Sequence, residues 1–145
     1  MPWLRLLAVA AAIAAANALV TLALWLAGGD EFIPGLVGWG LRIMADNIIR
    51  DLVPALILML PAFAVLAGRD RLTRWAAIGI GLIVGLTVSA LAAVELLKDV
   101  HTTPDLLVWA TVRTCAVGLA EAWAGWRMWA WLERRARRDD LTGVF

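Results

Sequence analysis

Four long apolar stretches separated by short polar ones set the rhythm of the chain. Residues 6–27 (LLAVAAAIAAANALVTLALWLA) run for 22 residues without a charge, and about 20 apolar residues suffice for a helix to cross a bilayer. Arg5 ahead of this run and the alanines within it also fit a cleaved signal peptide, but the run is too long for a signal core and reads as a retained span. Residues 52–67 are apolar but short, and borrowing from about residue 48 makes a second span over 48–67. Pro54 and Pro61 are expected to kink it, which neighbouring helices can accommodate in a bilayer. Residues 75–97 and 106–132 form the third and fourth spans, and Pro104 suits the start of the last one. Glycines and Pro34 break regular structure early in 28–51. From Leu41 the pattern turns helical: Leu41, Met44 and Ile48 share one face, Arg42, Asp46 and Arg50 another. That predicts a short interfacial helix between spans one and two. The fold class is therefore an all-α membrane protein, a four-transmembrane-helix bundle over 1–132 with a charged tail, 133–145.

Composition supports the bilayer as solvent. The chain has 145 residues, 63% of them hydrophobic, with a mean hydropathy of +0.83, more apolar than an ordinary small soluble domain. The net charge of +1 offers no basic field for nucleic acid. One cysteine, Cys115, cannot form an internal disulfide. A single histidine, His101, and no Cys/His cluster mean that neither a metal nor a cofactor is implied. No nucleophile–base pair is visible, so no catalytic residue is assigned and enzymatic chemistry within the spans is not expected.

Arginines orient the spans. Arg69, Arg71 and Arg74 lie in one loop, and Arg134, Arg135, Arg137 and Arg138 follow the last span. Both segments should be cytoplasmic, which gives a multi-pass bacterial inner-membrane protein with both termini inside. Tryptophans divide accordingly. Trp3, Trp75, Trp123, Trp126, Trp129 and Trp131 fall toward the inner boundary, and Trp25, Trp39 and Trp109 toward the outer.

Two features address packing and chemistry. Ala77, Gly81, Gly85, Ser89 and Ala93 recur every fourth residue in span three, and Ala110, Thr114, Gly118 and Ala122 in span four. Such stripes let helix backbones approach closely, within one chain in the first instance and between two chains in the second. Arg113 and Glu121 lie at membrane depth, where each costs roughly 2.5–3.5 kcal/mol to insert. They stand about 12 Å apart along the helix axis, so each needs a partner elsewhere. Asn17 falls near the depth of Glu121, and Thr21 and Ser89 near that of Arg113. Asn17, Arg113 and Glu121 are thus candidates for an intramembrane polar site that binds a small ligand or responds to protons or voltage. The other reading is a satisfied network that fixes helix packing.

The tail Asp139-Asp140-Leu141-Thr142-Gly143-Val144-Phe145 resembles the D-x-L-T-G-L-x-N-R motif that opens the GGDEF domain of diguanylate cyclases. The match covers about seven residues, with Asp139, Leu141, Thr142 and Gly143 identical. The resemblance implies that Glu133, Arg134 and the residues to Gly143 form a signalling linker into a cytoplasmic domain that condenses two GTP molecules into cyclic di-GMP. It also implies a homodimer through the last span and linker. The motif breaks off before its Asn-Arg, so the catalytic domain is expected to be missing. Gly28-Gly29-Asp30-Glu31-Phe32 spells the family's active-site signature, but at the outer end of span one, away from cytoplasmic GTP. It is read as a helix end followed by acidic loop residues. The leading expectation is the membrane sensor or anchor module of a diguanylate cyclase. The alternative is a stand-alone small transporter or an accessory subunit of a membrane complex.

Overall fold

The structure is a computed structural model that describes residues 2–27, 37–98, 100–101 and 103–142. It contains four helices: α1 (Pro2–Ala27), α2 (Val37–Gly68), α3 (Arg74–Leu96) and α4 (Pro104–Thr142). No strand occurs among the described residues. Each helix is long and apolar enough to cross a membrane.

One expectation is corrected. Residues 41–51 do not form a separate interfacial helix but belong to the single helix α2, which continues through Pro54 and Pro61. A break would strip backbone hydrogen bonds that only water could restore. With the apolar run 52–67 following directly, continuing the helix satisfies more of those groups internally. The Gly28–Phe32 signature lies outside the described residues.

The turn between α2 and α3 is built from local chemistry. Asp70 adopts φ 55°, a left-handed conformation that a short polar side chain tolerates better than most. Thr73 then caps α3, its hydroxyl accepting a hydrogen bond from the Ala76 amide at 3.2 Å. Arg74 stacks over the Trp75 ring, 5.1 Å from its centroid.

The helices form a ring in chain order, with α1 and α3 on opposite sides. The pairings fix their directions. Gly81 faces Gly118 and Ala122, and Gly85 faces Thr114 and Cys115, so α3 and α4 run antiparallel. Asn17 meets Glu121 while Ile13 meets Gly125, so α1 also opposes α4. The arrangement is up-down-up-down. The α2–α3 turn and the C-terminal extension of α4 sit at one end, and the turn after α3 at the other.

The two small-residue stripes pack against each other inside the chain. A Cβ on Gly118 would lie 2.5 Å from the Gly81 carbonyl oxygen, and one on Gly85 2.7 Å from the Cys115 Cα. Only glycine permits that approach. Gly125 does the same for side chains, leaving room for the Phe63 ring and Ile13. Val9, Ile13, Met59, Phe63, Val84 and Ala122 belong to the apolar core. The outward faces are equally apolar: Leu19, Ile57, Ile83 and Val112, one from each helix, are all more than half exposed. A water-soluble bundle would carry polar residues there, and apolar patches around the whole girth call for lipid. The chain thus has the make-up of a multi-pass membrane protein.

Candidate functional site

The polar residues at membrane depth resolve into two clusters on α4. Their α4 residues, Arg113 and Glu121, lie eight residues apart, just over two turns, and face different neighbours. The inner cluster joins α1 to α4. Glu121 is 1% exposed and Asn17 is fully buried. The Asn17 Nδ2 donates to Glu121 Oε1 at 2.5 Å, and the Thr21 hydroxyl donates to Asn17 Oδ1 at 3.4 Å. Asn17 and Thr21 lie four residues apart, one turn on the same face, which lets the chain Thr21–Asn17–Glu121 form. The expected proximity of Asn17 to Glu121 is therefore realised, whereas Thr21 joins this cluster rather than Arg113.

The second cluster joins α2 to α4. An Arg113 guanidinium nitrogen meets Asp51 Oδ2 at 3.3 Å. Arg113 is thus separate from Asn17 and Glu121, and no single site gathers all three. Ser89 also finds a different partner: its hydroxyl donates to Thr111 Oγ1 at 2.8 Å, and Thr111 donates on to the Leu107 carbonyl at 2.9 Å. Thr114 returns its hydroxyl to the Ala110 carbonyl at 3.0 Å. Among the described residues, no buried side-chain nitrogen or oxygen lacks a partner, as a low-dielectric interior requires.

Asp51 is a residue that sequence reasoning did not single out for the site. A signal lay in the span drawn over 48–67: the apolar run 52–67 is too short to cross a bilayer, so the span takes in Asp51, and a carboxylate inside the bundle calls for a partner, which Arg113 supplies.

The two clusters nearly touch. A void of about 10 Å³ is lined by both Asp51 and Glu121, with Gly85, Thr114 and Gly118 around it. That is close to the room needed for one water molecule. Toward the end of the bundle beyond Arg113, the space between α2 and the α3–α4 pair widens into a groove of about 760 Å³.

Below the bundle α4 simply continues. Glu133, Arg134, Asp139, Leu141 and Thr142 are all helical, and Gly143 lies outside the described residues. Glu133 and Arg137 form an ion pair one turn apart at 3.2 Å, and Arg135 stacks over Trp131 at 5.4 Å. These exposed contacts each contribute a few tenths of a kcal/mol, about 0.3–0.5 for the ion pair. Among the described residues no three His, Cys, Asp or Glu side chains gather as metal ligands.

The fold and these clusters define the chain as a membrane-type four-helix bundle with polar groups buried between its helices. No protein-family model, curated protein or solved structure matches it.

Proposed function

We propose that the chain is the membrane input module of a diguanylate-cyclase-like signalling protein. Events in the bundle reach a cytoplasmic GGDEF domain through α4. One observation carries the reading: α4 is a single helix, Pro104–Thr142, that bears both charge clusters, one buried and one part-buried, and the Asp139–Thr142 motif. A helix rises 1.5 Å per residue, so Glu133–Thr142 projects about 15 Å past the last span. An unbroken rod of that kind transmits a rotation or a shift of Arg113 or Glu121 to the residues resembling the domain start. The arginines of the α2–α3 turn and the tail support placing this end in the cytoplasm of a bacterial inner membrane. Two copies pairing through α4 and its extension would bring two GGDEF domains together, as condensation of two GTP molecules requires.

The test joins the chain at Thr142 to a GGDEF domain and inserts one to seven residues after Leu132. Each insertion turns the rod by about 100°. Cyclic di-GMP output should rise and fall with a period near one helical turn, and Arg135→Pro should abolish that dependence. Output indifferent to helix phase and to Arg113→Leu would overturn the relay. In the gene, a reading frame continuing past Phe145 into Asn-Arg would support it.

A further inference from the structure

The groove between α2 and the α3–α4 pair has the character of a ligand site. Its volume of about 760 Å³ falls within the range of small-molecule pockets, roughly 300–1,000 Å³. Leu91 and Trp109 are among its apolar walls, and Arg50, Asp51, Glu95 and Arg113 are its charged residues. Asp51 is engaged by Arg113, and Glu95 is held by Lys98 at 3.2 Å. Arg50 is exposed on the same lining and among the described residues forms no salt bridge. Arg113 meets Asp51 through one nitrogen only, although a guanidinium carries five N–H donors in a planar fork that matches a carboxylate bidentately.

The order of polarity along the groove identifies the occupant. Leu96 and Leu106 line it at the ends of α3 and α4. Arg113 lies about 13 Å along α4 from Pro104. Among the described residues, Glu95 with Lys98 marks the mouth of the groove, apolar walls follow, and the Arg113–Asp51 pair lies within. A phospholipid keeps its head at the interface and its tails inside, the reverse order. A small anion entering head-first from the bundle end matches it.

We propose that this groove binds a small organic anion: a carboxylate on an aromatic ring or short aliphatic chain, its charge received by Arg113 and Arg50 and its body packed on Trp109 and Leu91. The site stands independently of the relay, because binding is a property of this chain without any catalytic domain.

The test uses the full chain in lipid nanodiscs and ligand-observed NMR titrations. The probes are benzoate, phenylacetate and hexanoate, each with its neutral amide, and phenethylamine as the cation. At least one carboxylate should bind tenfold or more tightly than its amide and than phenethylamine. Arg50→Gln, at an exposed position that does not threaten folding, should erase most of that preference, as should Arg113→Gln. Leu91→Trp should occlude the groove and weaken the carboxylate tenfold or more. The proposal is overturned if no carboxylate binds, if amides or phenethylamine bind as well, or if Arg50→Gln and Leu91→Trp leave binding unchanged. A phospholipid that co-purifies in the groove and resists displacement by every carboxylate also overturns it.

Discussion

Gly118→Ala is the sharpest probe of how this bundle is held. Position 118 sits where α4 crosses α3, and the added Cβ would lie 2.5 Å from the Gly81 carbonyl oxygen and 3.0–3.1 Å from the backbone of Gly85. All three atoms are main chain, so no rotamer can relieve them. Ordinary contact begins near 3.4 Å, so α3 must retreat by about 0.9 Å. Gaps of 0.5–1 Å forfeit a quarter to a half of each dispersion contact along the seam. Overpacking of this sort costs roughly 1–3 kcal/mol. Against it stands the gain from replacing glycine within a helix, up to about 1 kcal/mol. The steric term wins, and net destabilisation should be on the order of 1–2 kcal/mol. Gly79→Ala supplies the control, because a Cβ there meets nothing within 4 Å. Only the helix term remains, so Gly79→Ala should be neutral to stabilising by up to about 1 kcal/mol. Reversible unfolding in mixed micelles, followed by tryptophan fluorescence, measures both. If Gly118→Ala matches or exceeds the parent, or if Gly79→Ala loses as much, the close α3–α4 seam is not what holds the bundle.

Three further outcomes follow from the polar clusters and the extension. Asp51→Asn and Arg113→Met should each destabilise by roughly 1–3 kcal/mol, because each strands a polar group in the bundle. The double variant should cost less than the sum, with a coupling of about 0.5–3 kcal/mol, and strict additivity in the same assay would show that the ion pair is inert. Asn17→Leu removes the donor to a buried carboxylate and should cost about 1–3 kcal/mol. Glu121→Gln keeps an acceptor for Asn17 and should cost less than Asn17→Leu, an order that unfolding titrations can reverse. Arg135→Pro should leave the bundle's unfolding midpoint unchanged while circular dichroism shows lost helix, since the extension packs on nothing that the core needs. A fall in the midpoint would show otherwise.

Much of the architecture was legible from residue order because the bilayer is a demanding solvent. Any segment of about 20 apolar residues has one stable way to satisfy its backbone, as a helix. Residues 75–97 and the helix start at Pro104 could be read on that ground alone. The glycine stripes were equally readable, since four-residue spacing places them on one face whatever the partner. Other features depended on register between helices, which residue spacing within one helix cannot fix. Arg113 and Glu121 share a helix and so looked like one site. About 100° of rotation per residue sends them toward different neighbours, one to α2 and one to α1. The interfacial helix failed for a related reason: the glycines and the charged face over 41–51 suggested a helix of its own, but nothing local separates it from the span at 48–67, and the two run on as one helix.

The sequence by itself determined that this chain has four helices able to cross a membrane, that each carries apolar residues around its girth, and that Arg113 and Glu121 must find partners. Helix formation and insertion are local, set by a segment and its solvent. Only the tertiary structure decided who the partners are. It packed the stripes of α3 and α4 on each other and gave Glu121 to Asn17. It paired Asp51 with Arg113, and it opened a charged groove beside that pair. Those outcomes depend on which faces of four helices meet and at what height, and they exist only once the helices have packed.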